Sequence, residues 1–309
     1  MKVSTNSPIL VIAVTFESDD STLRFVQNIS TMSKGEYVNI VIVDNSERDD
    51  SKVFFTRLRD ANPRVICVKT PKNLGYFGGA NYGFQNYLKS GQDFDWVIIS
   101  NVDIVFKDKN FFSNMRKMED YEGIGVVAPS IWSNKSLHDQ NPKILDRPSN
   151  RKMEFYRLIY QNLITMNIYG LFAIVKHIFR YLLWNQFLAR LRRTRNSHSE
   201  YGSEKYPNDM KSIYAPQGAC IIFSHRFFDR GGSLDYPMFL FYEEIFVAES
   251  ARRLGLSIVY NPRLRLMHED HLSTGLFRSR KMGLYISKSI NYVVYTYFKQ
   301  GRDRAGDRR

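Results

Sequence analysis

The sequence predicts an α/β fold built on a mostly parallel central sheet flanked by helices. Four short apolar runs, ILVIAV (9–14), VNIVIV (38–43), RVICVK (64–69) and DWVIIS (95–100), have the length and continuity of strands buried on both faces. Helix-compatible stretches at 20–33, 50–60 and 79–89 separate them. That alternation is the signature of parallel strands joined by crossover helices.

Each run ends in polar residues: TFES after the first, DNS after the second, NVD after the fourth, and after the third a short loop into NLGYFGGANYGF (73–84). Open α/β sheets bind ligands outside the carboxyl ends of their strands. One such cluster is ordinarily a turn or a helix cap. Four together point to a shared crevice. The glycine stretch is neither a G-x-G-x-x-G dinucleotide fingerprint nor a P-loop, since it lacks G-K-[ST]. Two readings stand for it: a backbone wall against a ligand with Asn73 and Asn81 as anchors, or a tight loop whose glycines serve packing.

The chain has 309 residues, 43% hydrophobic and 14% aromatic, enough for a substantial core and far from a disordered composition. Its net charge of +13 favours anionic partners. The two cysteines, Cys67 and Cys220, lie in apolar runs and read as buried reduced thiols of a reducing compartment. The opening MKVSTNSPILVIAVTF reads as a first strand and not as a signal peptide.

From 151 to 195 the chain turns apolar, aromatic and basic. Arg151, Lys152, Arg157, Lys176, Arg180, Arg190, Arg192, Arg193 and Arg195 face one acid, Glu154, a balance of +8. The longest uncharged run, Leu158 to Val175, has 18 residues and five of them are Gln161, Asn162, Thr165, Asn167 and Gly170. A spanning helix needs about 20 mostly apolar residues. Helices lying in the membrane interface suit this composition better, and a helical hairpin packed on the protein's own core or on a dimer partner is the alternative. The organisation expected is therefore a first α/β part (1–150), a basic amphipathic insertion with a linker (151–212), a second α/β part (213–275), and a C-terminal helix with a basic tail (276–309).

Three further places carry candidate chemistry. Asp103, two residues past Asn101 at a strand end, is an oxygen ligand for a hard divalent cation or a turn aspartate. Glu243 and Glu244 open a helix closed by Gly255; acids there suit the helix dipole. Helical spacing puts Glu244 at the head of the stripe Val247, Ala248, Ala251 and turns Glu243 about 100° away, which makes Glu244 a general-base candidate. His268 and His271, flanked by acids, are open to metal ligation or pairing.

Taken in order, VTFES, VIVDNS, NLGYFGGANYGF, IISNVDIVF and GACIIFSHRFFDRGGSLDYPMFLFYEEIFVAESARRLGLSIVYNPRLRLMHEDHLSTG resemble the family-two glycosyltransferases of the GT-A (Rossmann-like) fold, nearest the bacterial rhamnosyltransferase-like enzymes of surface-polysaccharide assembly. The resemblance spans roughly 9–130 and 213–275. It implies that Thr15, Glu17, Asp44 and Asn45 hold the base and ribose of a nucleotide-diphosphate-sugar. Asn73, Gly75 and Asn81 would wall the sugar-nucleotide. Asp103 matches the last acid of the family's D-x-D motif, here Asn101-Val102-Asp103, and would contact Mg²⁺ or Mn²⁺ with His268. Glu244 matches the second acid of the family's E-D motif, the base of inverting members; as the motif here is Glu243-Glu244, Glu243 stays a candidate. Gly218 and Ala219 would face the acceptor.

The resemblance further implies a polyprenyl-diphosphate-linked glycan acceptor, in O-antigen or capsule assembly, at the cytoplasmic face of the inner membrane. An anionic membrane surface is then the partner of the basic insertion, and nucleic acid is not a partner because +8 of the charge lies in that insertion and not on a recognition motif. A nucleotidyltransferase would want a basic glycine-rich loop after the first strand, where this chain has the acidic VTFESDD. A catalytically inactive membrane-bound scaffold would have no need of Asp103, Glu244 and His268.

Overall fold

The structure, a computed structural model, describes residues 7–48, 51–120, 122–162, 164–171, 210–269 and 279–299. His271 and insertion residues 172–195 lie outside them. The chain divides into two compact units, Met1–Pro148 with Asn208–Ser273, and Ser149–Pro207 with Thr274–Arg309.

The first unit begins with the predicted alternation. Strands β1 (Ile9–Thr15), β2 (Val38–Asp44), β3 (Val65–Lys69) and β4 (Trp96–Asn101) alternate with helices α1 (Asp19–Met32), α2 (Ser51–Ala61) and α3 (Tyr76–Leu88). The apolar runs form strands because both sheet faces are covered; β1 is buried at every position but Val14. In α1 the buried residues Thr22, Phe25, Val26 and Ile29 follow i, i+3, i+4, i+7, one helical face on the sheet. Helix α3 begins three residues before the predicted stretch, directly after Gly75.

Next in the chain are β5 (Ile104–Phe106), α4 (Phe111–Arg116) and β6 (Ile124–Ser133). After the second unit's insertion come β7 (Lys211–Ile213), β8 (Cys220–Ser224), α6 (His225–Asp229), α7 (Glu243–Arg253) and β9 (Ser257–His268). The described residues form one sheet of nine strands in the order β3-β2-β1-β4-β8-β6-β9-β5, with β7 also on β9. The β3-β2-β1-β4 half is wholly parallel. The other half is mixed, because β8 runs antiparallel to β4 and β6 while β6 and β9 run parallel.

This order reverses beside β1: β2 and β3 lie to one side and β4 to the other. Such a switch point opens a crevice at the carboxyl ends of the strands. Register places Thr15 opposite Asp44 and Val14 opposite Asn101, so the ends of β1, β2 and β4 are level. Cys220 is buried as expected, while Cys67 is half-buried because it lies on the edge strand β3.

The second unit contains α5 (Asn150–Tyr160), a helical segment 164–171, and α8 (Arg280–Val293) running into a short π-helical turn, Val294–Phe298. Ser149 and Ser279 cap α5 and α8 by accepting from the backbone N–H three residues on, each at 3.2 Å. No helix among the described residues is long and apolar enough to cross a membrane.

Candidate active site

The glycine stretch finds its explanation in protein contacts. Gly75 has φ +77°, and a Cβ there would lie 1.9 Å from the carbonyl oxygen of Phe239. A Cβ on Gly79 would meet Val14 of β1 at 2.9 Å, and one on Gly83 would meet Val43 of β2 at 2.5 Å. What approaches these glycines is the chain itself. The close approach that requires these glycines is made by the segment before α7 and by the sheet, and so α3 lies tight on β1 and β2.

The aromatics of the stretch do the complementary work. Phe77, wholly buried, packs edge-on against Tyr236 and Phe246, each 6.4 Å between ring centroids. Tyr76 reaches across and donates from its hydroxyl to the Gly218 carbonyl at 3.0 Å. These contacts hold α3, the 218–219 segment and the start of α7 together.

Asn45 fastens the loop from the other side. Its amide donates to Asn73 Oδ1 at 3.0 Å and to the Gly75 carbonyl at 2.9 Å. Its Oδ1 accepts from Thr70 and from the Leu74 N–H. Asn73 Oδ1 in turn accepts from the Gly75 N–H. Asn45, Asn73 and Gly75, predicted as donor-site residues, are thus brought into one network.

Asp44 is fully buried. Burial pushes its carboxyl up, but hydrogen bonds from Ser46 and Ser51 and the Lys69 ammonium outweigh it and hold the group below the usual range. Arg48, 3.6 Å from Asp44, also grips Asp19 at the start of α1 with two guanidinium nitrogens. Asp44 therefore shapes the loop after β2. Thr15 is buried and accepts from the Thr22 hydroxyl at 2.8 Å. Glu17 is exposed and takes a left-handed φ of +50°, unusual for a residue with a Cβ. Asn81 has a buried Oδ1 without a hydrogen-bond partner.

Asn101 is half-buried at the end of β4, its N–H bonded to the Ala219 carbonyl, which sets Gly218-Ala219 beside the turn holding Asp103. Pairing of β5 with β9 puts Ile104 opposite His268. The result is that His268 Nε2 stands 3.2 Å from Asp103 Oδ2. Asp103 Oδ1 is buried without a partner. An orphaned carboxylate oxygen beside an imidazole nitrogen fits a hard or borderline divalent cation. No group of three or more His, Cys, Asp or Glu side chains among the described residues could hold one, so a cation here would take its other ligands from substrate or water.

The acid pair departs from the expected register. Glu243 is buried at 7% exposure, whereas Glu244 is half-buried. The prediction that Glu244 heads the inward face and Glu243 turns away is corrected here. Helix α7 buries Ile245, Phe246 and Glu249 as well as Val247, Ala248 and Ala251, so no single stripe defines inside. The backbone before it also matters: Phe241 and Tyr242 both adopt left-handed φ, +72° and +66°, and fold Glu243 back so that its Oε1 accepts from the Phe241 N–H at 2.8 Å. Strain of this kind persists where the surroundings over-determine it. Burial, and then the charge of Glu244, push the Glu243 carboxyl up to about 8.

Glu244 is the reachable member of the pair. A methyl on Gly218 would sit 3.3 Å from its Oε1, so Glu244 lies directly against this glycine. Burial drives the Tyr76 phenol well above its ordinary range, so it stays a donor to Gly218. Tyr76 thus ties α3 to the Gly218 segment, against which Glu244 lies. Sequence reasoning passed over it, although it stands in the middle of NLGYFGGANYGF. Further along α7, the fully buried Glu249 is held by Arg147, Tyr214 and Arg252, with contacts of 2.6, 2.8 and 2.8 Å.

The parallel 3-2-1-4 half-sheet, the acid in the turn after its fourth strand and the acid pair opening α7 are the arrangement expected of the GT-A fold, and likeness to known proteins gives the class, a glycosyltransferase. The fold is similar to the crystal structure of GalNAc-T7 with UDP, GalNAc and Mn²⁺, at TM-score 0.59 and 12% identity, over 96% of this chain; this chain spans half the length of that one. Residues 10–183, more than half the sequence, match the family described as Glycosyl transferase family 2, and the chain belongs to that family. It is also 21% identical over 271 residues to the N-acetylglucosaminyl-diphospho-decaprenol L-rhamnosyltransferase of Mycobacterium tuberculosis, over 86% of this chain and 77% of that protein.

Proposed function

We propose that the protein is an inverting transferase that moves a sugar from a nucleotide-diphosphate-sugar to a hydroxyl of a polyprenyl-diphosphate-linked glycan, in surface-polysaccharide assembly such as O-antigen or capsule. What supports this reading is Asp103, with one orphaned buried oxygen and the other 3.2 Å from His268, together with Glu244 lying against Gly218, whose neighbour Ala219 accepts from the Asn101 N–H. The acceptor class is supported by the decaprenyl-linked substrate in the name of the mycobacterial relative.

The donor lies over the carboxyl ends of β1, β2 and β4. Thr15, Glu17 and Asn101 would line its nucleotide, Asp44 and Asn45 would hold the loops that enclose it, and Asn73, Gly75 and Asn81 would form the wall through the α3 loop. Asp103 and His268 would hold Mg²⁺ or Mn²⁺, which when bound neutralises charge on the diphosphate. Glu244 takes the proton of the acceptor hydroxyl as its oxygen bonds to the anomeric carbon. The bond from that carbon to the diphosphate breaks with its electron pair on the leaving nucleoside diphosphate, and configuration inverts. Glu243, carrying its proton at neutral pH, steadies the backbone turn that aims Glu244.

The second unit supports the membrane-facing part of the reading. In α5 the buried residues are Met153 and Arg157, while Arg151, Lys152, Phe155 and Leu158 are exposed. Ile164, Ile168 and Leu171, at i, i+4 and i+7, are 68%, 61% and 49% exposed, an aliphatic stripe turned outward. Outward apolar stripes with flanking cations suit an anionic bilayer surface, here the cytoplasmic face of the inner membrane. Arg157 is not part of that attraction: it is buried and pairs with Glu154 at 2.5 Å.

Screening nucleotide-sugars for release of nucleoside diphosphate, with and without a polyprenyl-diphosphate glycan, tests the reaction. Acceptor-dependent release lost in Asp103→Ala is the expected result. Release from no donor under any acceptor would overturn it.

A further inference from the structure

Gln140 lies in the loop after β6 and belongs to no motif, yet it touches His268. His268 Nδ1 is 2.9 Å from Gln140 Oε1. The direction of that bond can be traced from a group whose chemistry is unambiguous. The backbone N–H of Gly218 can only donate, and it donates to the side chain of Gln217 at 3.2 Å, so the atom it meets is the carbonyl oxygen. The other end of the Gln217 amide is then its NH₂, which reaches Gln140 at 3.5 Å. That fixes the Gln140 atom as Oε1, an acceptor only. His268 Nδ1 therefore bonds by donating; the neutral ring has one hydrogen for two acceptors, Gln140 Oε1 at 2.9 Å and Asp103 Oδ2 at 3.2 Å, and the shorter contact favours Nδ1, which leaves the lone pair on Nε2. Gln217 is itself pinned, its N–H bonded to Asn141 Oδ1 at 2.8 Å.

We propose that Gln140 is a positioning residue that keeps the His268 proton on Nδ1 and presents Nε2 as the ligand atom beside Asp103. The proposal rests on the cation reading of Asp103 and His268 given above. Without such a device the neutral ring would place its hydrogen on Nε2, where Asp103 Oδ2 at 3.2 Å would accept it and no lone pair would face the site. With it, a nitrogen lone pair lies 3.2 Å from the Asp103 carboxylate, whose Oδ1 is buried without a hydrogen-bond partner. Groups that orient a ligating histidine from its far nitrogen typically change metal affinity about 10–100-fold when removed. The amide chain also ties the His268 side to Gly218, against which Glu244 lies.

The test uses the full chain with ¹⁵N-labelled histidine, metal-free and with the ring neutral, the His268 signals assigned by their loss in His268→Gln. Long-range ¹H–¹⁵N correlation is expected to show the Nδ1–H tautomer for wild type and for Gln140→Glu, which keeps an acceptor. Gln140→Met should shift His268 toward Nε2–H and weaken Mn²⁺ binding, read by electron paramagnetic resonance, about 10–100-fold, with Gln140→Glu restoring it. An Nε2–H signal in wild type overturns the proposal, even if a variant fails to fold. Unchanged tautomer and Mn²⁺ affinity in a folded Gln140→Met overturn it too. A wild type that shows Nδ1–H and binds no Mn²⁺ overturns the cation reading, and with it the ligand role of Nε2.

Discussion

Glu243 makes stability and pH run in an unusual direction. Its carboxyl rises from an ordinary 4.5 to about 8, first through burial and then through the charge of Glu244. Below pH 4.5 the acid is protonated in both folded and unfolded chains and contributes no pH dependence. Between 4.5 and 8 the unfolded chain releases the proton and the folded chain keeps it, so stability falls as pH rises. Each unit of pKa difference is about 1.4 kcal/mol, so the loss of stability across that window is at most a few kcal/mol. Glu243→Gln removes the titration and keeps an oxygen to accept from the Phe241 N–H. Urea unfolding of both proteins from pH 5 to 8 should show the variant gaining on wild type by up to about 1.4 kcal/mol per pH unit. Other titrating groups, such as the depressed Asp44 and Glu249, cancel in the difference to first order. A difference that is flat across the window would refute the claim that the fold holds Glu243 protonated.

Glu244→Gln should lower turnover by about 10²-fold or more while donor affinity, measured by calorimetry, stays nearly unchanged; normal turnover would remove Glu244 as the base. Gly75→Ala should cost roughly 2–5 kcal/mol in urea unfolding, because a left-handed φ and a carbonyl 1.9 Å from the new Cβ act together; a loss under about 1 kcal/mol would mean that the Phe239 segment yields freely. Ile164→Ser, Ile168→Ser and Leu171→Ser combined should reduce sedimentation with anionic liposomes several-fold while leaving donor hydrolysis unchanged; unaltered sedimentation would show that this stripe does not meet lipid.

The strands and helices of the parallel half were legible because their signals are local. Buried runs such as ILVIAV and face spacing such as Phe25, Val26, Ile29 need no knowledge of distant chain. Strand-end polar residues were legible for the same reason, since Thr15, Asp44 and Asn101 follow directly from where the runs stop. Tertiary structure decided what those residues face. The neighbour that makes Gly75 indispensable is Phe239, the partner of Asp103 is His268 through the β5–β9 register, and Arg157 is neutralised inside its own unit. Periodicity chose the wrong glutamate as the buried one because α7 is enclosed on more than one side, and a stripe marks the inside only for a helix with one wet face. Gln140 had no sequence signal at all: an amide acquires its role from the atoms placed around it, and those are set by β-strand pairing between segments far apart in the chain.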